Sequence, residues 1–349
     1  MKTTFISTQA ISQATRLSLM KLQSRLQIAQ KEVASGRLAD VGLSLGAKAG
    51  ETVSLRQEHT RLTAMKDTNA EVLSRLDLTQ SSLKGMIQTA QDFLSQLIGA
   101  RSSESGPEVI KAQAMTGLNS FIDTLNTSFN GAYLFSGINA DVKPLADYEQ
   151  TPTGPAQQAV ANEFLTAFGV AQGAPGTETI TPAAMATFLD GAFANLFDPT
   201  GWSTNWSSAS DQNMRSRIST YELVESSVNA NDVSFRELAS AFTMVGDLGV
   251  TTLSGDTYQT VIDRAIKLVG DAVTGMSKLQ SNLGTVQERV NKANDRMSIQ
   301  IDILSAHIGT LESVDPYEAS TRVNGLMTQI ETAYSLTARL QKMSLLNYL

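Results

Sequence analysis

The sequence contains no cysteine, which excludes disulfide bonds, thiolate metal sites and a cysteine nucleophile. Aromatic residues make up only 6% of the 349 residues and charged residues only 17%, whereas apolar residues reach 42%. We therefore expect an ordered chain with a core of aliphatic side chains. The net charge of −7 argues against a nucleic-acid partner, because neutralising phosphates takes clustered Lys and Arg.

Long apolar runs are also missing. No stretch is long and apolar enough to span a bilayer, so no membrane partner is predicted. The segment 1–9 is polar and lacks the apolar core and cleavage site of a secretory signal peptide. The sequence thus predicts either a cytoplasmic protein or one exported by a route that needs no cleaved signal.

Catalytic constellations are absent from the sequence. The only two histidines, His59 and His307, fall inside predicted long helices, and neither has a second histidine four residues away. No Walker A loop, GxGxxG or GxSxG motif occurs. We predict no enzymatic activity, no cofactor, no metal and no small-molecule substrate. A carboxylate-based hydrolase in the middle of the chain is the enzymatic alternative.

Apolar residues recur at alternating spacings of three and four residues at both ends of the chain, which predicts long helices. Breaks are predicted at 35–36, 42–50, 103–107 and 312–315. Asp315 is a predicted N-cap, followed by Pro316 and by Glu318 at the third position. Such helices cannot bury their apolar seams alone, so the N- and C-terminal segments are predicted to pair into a coiled-coil-like helical rod.

The middle of the chain, 137–232, differs in composition. It holds six of the eight prolines, both tryptophans, and eleven acidic against three basic residues, a net of −8. Turn residues separate short alternating runs such as 214–220, which predicts strands, and one helix is expected at 182–197. The fold class is therefore mainly α, with an inserted, separately folded α/β domain.

The two ends of the chain are apolar and carry few charges. One interpretation is that they pair with each other within the chain. The favoured one is that they bury themselves against copies of the same chain and neighbouring proteins. The predicted assembly residues are Leu19, Leu22, Leu26, Val33, Leu326, Ile330, Leu340, Leu345, Leu346 and Leu349.

Two further features concern the helical part. Asn69 and Thr79 lie on an otherwise apolar seam, where they either set the register of the helices or are exposed by local rotation. Two glycines bracket an aromatic run where the helical zone ends, which predicts a hydrophobic turn at a domain junction. The junction residues are Gly131, Tyr133, Leu134, Phe135 and Gly137.

Local motifs resemble those of the flagellin superfamily. The stretch 32–37, EVASGR, resembles the signal that follows the first helix in that family, although 38–46 lacks its usual PSDDP-like continuation. The stretch 131–137, GAYLFSG, is very similar to a segment of hook–filament junction proteins. The stretch 314–322 resembles the start of their last helix, and 344–349, SLLNYL, resembles their ending. The resemblance covers about 1–137 and 233–349.

The resemblance implies a structural subunit that is secreted by type III export and joins hook to filament as a ring on which flagellin assembles. It implies self-assembly, neighbouring hook-associated protein and flagellin as partners, and an export chaperone. The alternatives are a filament flagellin, and a coiled-coil adaptor or signalling rod. The predicted divisions are 1–44 and 313–349 (assembly helices), 45–137 and 233–312 (halves of the rod), and 138–232 (inserted variable domain).

Overall fold

The computed structural model describes the backbone of residues 8–103 and 106–346, and the side chains of 10–103 and 106–339. The described chain is mainly helical, as predicted. Its long helices are α1 (Thr8–Ser35), α3 (Ala49–Ala100), α4 (Gly106–Leu125), α9 (Val233–Asp247), α10 (Gly255–Glu312) and α11 (Pro316–Leu346). Its shorter helices are α2 (Val41–Leu45), α5 (Pro155–Phe168), α6 (Pro182–Asp190), α7 (Ala192–Asn195) and α8 (Pro199–Asn205).

Two antiparallel hairpins complete the described part of the chain. The first joins β1 (Ser128–Phe129) to β2 (Ala132–Tyr133), and the second joins β3 (Arg215–Ser219) to β4 (Glu222–Glu225). The predicted strand at 214–220 is therefore confirmed. The helix predicted at 182–197 is divided at Gly191 into α6 and α7. The middle segment also contains α5 and α8, which the sequence analysis did not predict.

The described residues form two compact units. The first contains the residues up to Ala64 and from Met297 onward, and the second is Met65–Arg296. The sequence analysis predicts that the segment 138–232 folds separately. In the structure it lies within the second unit and shares the core of that unit. The boundaries of the five predicted divisions remain predictions.

In the first unit, α1 packs against α11. The break after α1 and the break between α10 and α11 lie side by side, because Arg37 forms an antiparallel bridge with Ser313. The amide of Leu38 donates to the carbonyl of Glu312 over 2.8 Å, and the amide of Val314 donates to the carbonyl of Gly36 over 3.0 Å. We call these paired breaks, 36–40 and 312–315, the joint.

The predicted N-cap of α11 is confirmed. The Oδ1 atom of Asp315 accepts from the amides of Tyr317 at 2.8 Å and Glu318 at 3.4 Å. A second cap in the joint was not predicted: the side chain of Asp40 accepts from the amide of Leu43, the third residue of α2. Each of the two breaks in the joint is therefore followed by a helix whose first free amides are capped by an aspartate side chain.

In the second unit, α4 and α9 pack closely, with Gly117 against the ring of Phe242 and Gly246 against Met115. Aromatic rings fill the space around them, including Phe242 and Phe93, whose centroids are 4.7 Å apart. The middle segment contributes a row of neighbouring aromatic rings, which we call the aromatic chain. This chain consists of Phe164, Phe168, Phe188, Phe193, Phe197, Trp202, Trp206 and Tyr148.

The middle segment is fixed to α9 and α10 by polar contacts within the second unit. The hydroxyl of Tyr148 donates a hydrogen bond of 2.7 Å to Asp247 at the end of α9. Arg264 of α10 forms an ion pair with Asp190 at 2.6 Å. The guanidinium of Arg236 donates 2.8 Å to the carbonyl of Phe197. The inserted segment thus completes the core of the unit around α9.

Candidate assembly surface

The predicted assembly residues of the first unit lie mainly on the face that α1 and α11 share. Leu19, Leu22 and Leu26 are half-buried, and Leu326 and Ile330 are buried with 9% exposure each. A polar contact joins the same helices, since Gln23 donates 2.9 Å to the Tyr334 hydroxyl. Their burial and the packing of α1 against α11 favour a seam within the chain for these five side chains, and their role in assembly stays a prediction.

The other predicted assembly residues are placed differently. Val33 is 42% exposed on α1 and remains available to a neighbour. Leu340, Leu345 and Leu346 fall in the last turns of α11, but their side chains lie outside the described part. Leu349 lies outside the described residues altogether.

Buried carboxylates hold the joint together. Glu32 is 4% exposed, accepts from Arg322 at 2.9 Å, and also accepts from the amide of Ala39 at 3.3 Å. Glu312 is fully buried and accepts from Arg56 at 2.6 Å. The hydrogen bond from Arg56 to Glu312 raises the pKa of the Arg56 guanidinium. Each buried charge is thus paired, as burial of a charge demands.

The first unit also exposes large apolar side chains that the sequence analysis did not single out. On α1, Leu17 is 57% exposed, Met20 53% and Ile28 46%. On α11, the exposed fractions are 46% for Met327 and 51% for Tyr334. A shallow cavity of about 490 Å³ on α1 is lined by Met20, Gln23, Ser24, Leu26, Gln27 and Gln30. The pairing of α1 with α11 therefore leaves a second apolar surface uncovered.

The predicted junction segment is an ordered hairpin that enters the core of the second unit. Asn130 and Gly131 form its two-residue loop and have φ values of 52° and 81°, as a type I′ turn requires. Tyr133 is half-buried, and Leu134 and Phe135 are buried with 1% and 0% exposure. The backbone of the segment is paired too, since the Phe135 carbonyl accepts from the Ala230 amide at 2.7 Å.

Gly137 ends this segment. Its φ is 64°, and backbone carbonyl groups lie very close to this residue. A Cβ atom there would lie 2.5 Å from the carbonyl oxygen of Gln212 and 2.6 Å from that of Ser210. Real Cβ atoms do not approach backbone that closely, so only glycine fits without a shift of the chain. The second predicted glycine, Gly131, has open space around it.

The polar seam residues are buried, so exposure by local rotation was wrong for both. Asn69 is 0% and Thr79 1% exposed. The amide nitrogen of Asn69 donates 2.8 Å to the Oδ1 atom of Asn294 on α10 and 2.9 Å to the carbonyl of Ile218 in β3. This pair of contacts fixes α3 against α10 and against the second hairpin, which agrees with a register-setting role.

Histidine and acidic side chains are not clustered into a metal site in the described part of the chain. Residues 10–103 and 106–339 contain no group of three or more His, Asp or Glu side chains arranged to hold a metal ion. His307 is exposed on α10, with its Nε2 atom 3.8 Å from Glu51. None of the helices described is both long and apolar enough to cross a membrane.

Comparison with solved structures finds a protein of similar fold. Its description is "Structure of putative flagellar hook-associated protein from Vibrio parahaemolyticus". The match has a TM-score of 0.52 and 8% sequence identity, and it covers 76% of this chain and 97% of the other. At that identity the match shows the fold alone. No curated protein matches the sequence.

Two family models match the helical parts of the chain. The model of the bacterial flagellin N-terminal helical region matches residues 6–140, and that of the bacterial flagellin C-terminal helical region matches residues 266–349. Together they span more than half of the chain. They contain α1, α3 and α4 at one end and α11 with most of α10 at the other. With both terminal regions matched and the mainly helical fold in agreement, the chain belongs to the flagellin family.

Proposed function

We propose that this flagellar structural subunit joins the hook to the filament, as a ring on which flagellin assembles. The observation that carries the proposal is the segment Gly131–Gly137 with the ending at 344–349, since both resemble hook–filament junction proteins. The fold match to a protein described as hook-associated gives further support. A filament flagellin is the second candidate, because the two matched family models are those of flagellin itself.

The proposal includes the partners of such a ring. Copies of the chain contact one another, a hook-associated protein lies on one side of the ring and flagellin on the other. A flagellar export chaperone covers the apolar C-terminal helix before export. Val33, Leu340, Leu345, Leu346 and Leu349 are the predicted assembly residues that we place at contacts with neighbours. Burying each leucine there contributes about 1.5–3 kcal/mol.

The position of the subunit in the flagellum tests the proposal directly. The chain has no cysteine, so one introduced on the exposed side chain of Tyr221 can be labelled specifically in assembled flagella. A junction subunit gives a single label between hook and filament. Label along the whole filament would instead identify a filament flagellin.

A paired substitution gives a second, genetic test. Leu345→Asp with Leu346→Asp should leave the melting temperature of the monomer unchanged, because these leucines are proposed to contact neighbours. For a junction subunit, cells with this change should secrete flagellin without building filaments. For a filament flagellin, hook and junction would be complete and the altered chain itself would appear in the medium. Normal filaments would contradict the assembly role of both leucines.

A further inference from the structure

A cavity of about 130 Å³ lies in the second unit, where the middle segment meets α9 and α10. Its apolar wall includes Leu189 near the end of α6, Phe197 just after α7 and Leu268 of α10. A cavity of about 150 Å³ holds one benzene molecule, so this one admits a group of about five non-hydrogen atoms. The space therefore suits a short aliphatic group, either of a small molecule or of a side chain.

One turn of α9 supplies polar atoms to the same cavity. Glu237 and Ser240 are three residues apart, so they lie on the same face of the helix. Ser240 is only 5% exposed, and its hydroxyl has no hydrogen-bond partner among the described residues. Glu237 is half-buried and likewise forms no hydrogen bond or ion pair with a described side chain. Neighbouring oxygen atoms that can accept hydrogen bonds thus line an apolar cavity without partners.

Two guanidinium groups also line the cavity, and both already have partners. Arg264 forms an ion pair with Asp190 at 2.6 Å. Arg236 donates hydrogen bonds to two backbone carbonyl groups, over 2.8 Å and 3.1 Å. Among the charged side chains described at the cavity, Glu237 is therefore the one that still lacks a hydrogen-bonded partner.

The charge of Glu237 is not balanced within the described part of the chain. Burial raises the pKa of its carboxyl group above the usual value, and the negative charge of Asp271 raises it further. The positive charge of Arg236 opposes this shift but does not cancel it. A cation beside Glu237 would favour the charged carboxylate, whereas an anion would disfavour it further. The electrostatics of the cavity therefore select a cationic ligand.

We propose that this cavity binds a primary alkylammonium group, with its methylene groups against Leu189, Phe197 and Leu268. The ammonium donates hydrogen bonds to the carboxylate of Glu237 and to the hydroxyl oxygen of Ser240. Such a group has two sources, a free small amine or the lysine side chain of a neighbouring protein. The inference goes beyond the proposed function, because it holds for a junction subunit and for a filament flagellin alike.

Titration of the purified full-length chain with n-butylammonium chloride, followed by saturation-transfer NMR, tests the site. We expect Glu237→Gln to weaken binding about tenfold or more, since a hydrogen bond to a charged group is lost. Ser240→Ala should weaken it by about threefold, because the lost acceptor is neutral. The matched control is Glu225→Gln, which removes one negative charge from an exposed residue of β4 and should bind like the natural chain.

The melting temperature separates a binding role of Glu237 from a structural one. A half-buried carboxylate without a partner costs stability, so Glu237→Gln should melt at the same temperature as the natural chain or higher. A lower melting temperature would show that Glu237 serves the fold and would overturn the assignment. Equal binding by Glu237→Gln and Glu225→Gln, no binding of n-butylammonium, or tighter binding of sodium butyrate would also overturn it.

Two further probes distinguish the sources of the ammonium group. Displacement of n-butylammonium at lower concentration by 1,4-diaminobutane would identify a free amine. Displacement at lower concentration by Nα-acetyl-lysine methylamide would identify a lysine of a neighbouring protein. Failure of both to displace it would overturn the proposal. All these measurements use the purified chain and not its position in the flagellum, so their failure would leave the proposed function in place.

Discussion

Arg56 donates a hydrogen bond of 2.6 Å to the carboxylate of Glu312, which lies 256 residues later in the chain and is fully buried. The contact ties the start of α3 to the end of α10 at the joint. A buried carboxylate that loses its hydrogen-bond donor still carries the free-energy cost of its removal from water, and no contact then offsets that cost. The stability of the joint therefore depends on a side chain that is itself half-exposed.

We expect Arg56→Met to destabilise the joint by about 1–3 kcal/mol. Hydrogen exchange of the amides in 36–40 and 312–318 measures this locally. Arg37→Met is the control, because Arg37 lies 3.9 Å from the same carboxylate and is 63% exposed. That control should change the stability by less than about 1 kcal/mol. Equal effects of the two substitutions would show that Arg56 does not hold Glu312.

The two glycines of the junction segment should differ in their tolerance of alanine. Gly131→Ala only places a side chain at positive φ, which costs about 1 kcal/mol. Gly137→Ala adds the approach to the carbonyls of Gln212 and Ser210, so we expect about 3 kcal/mol or more. Urea unfolding of the purified chain measures both values. The expectation fails if alanine at 137 is tolerated as well as alanine at 131.

The stability of the second unit should depend on pH through Asp247. Burial raises the pKa of this carboxyl group above its usual value, although the hydrogen bond from Tyr148 partly opposes the shift. A carboxyl group with a raised pKa in the folded state contributes stability that is present below the unfolded pKa. That contribution is lost as the pH rises through the folded pKa.

Asp247→Asn removes this titration while keeping an acceptor for the Tyr148 hydroxyl. We therefore expect the variant to gain stability relative to the natural chain as the pH rises from 4 to 8. Urea unfolding of both proteins across that range gives the difference in the free energy of unfolding. A difference that stays constant with pH would contradict the assignment to Asp247. Tyr148→Phe should lower the stability most at the higher pH, where it removes a donor to a charged group.

Removing the middle segment should destabilise the second unit. Its residues donate to Asp247, pair with Arg264 and accept from Arg236, and its aromatic chain packs on the core. Replacing 138–232 with a Gly/Ser linker should lower the melting temperature by about 10 °C or more, because several buried aromatic contacts are lost. Circular dichroism during heating measures this. An unchanged melting temperature would mean that the segment is dispensable for folding.

The apolar spacing at both ends of the chain was sufficient to predict long helices, their breaks and the Asp315 cap. Periodicity identifies a buried face but not what covers it. Leu19 and Leu326 were therefore assigned to neighbours, whereas their burial beside the packed helices α1 and α11 is also explained by a seam within the chain.

The middle segment was harder to predict because its order comes from contacts between distant residues. Trp202 and Trp206 stack on each other, and Trp206 stacks on Tyr148, 58 residues earlier. Its Pro and Gly content indicated turns, yet the prolines at 155, 182 and 199 each begin a helix. The pairing of Glu32 with Arg322 likewise depends on tertiary structure, since 290 residues separate the two.

The paired breaks of the joint also constrain the order in which the chain folds. In the described part of the chain, α1 packs against α11, near the opposite end of the sequence, and the bridge between Arg37 and Ser313 closes a loop of almost the whole chain. When the N-terminal end of the chain appears first, α1 is available before its partner α11. The first unit is therefore completed last. The unit with the most distant contacts pays the greatest loop-closure entropy, so it should form slowest.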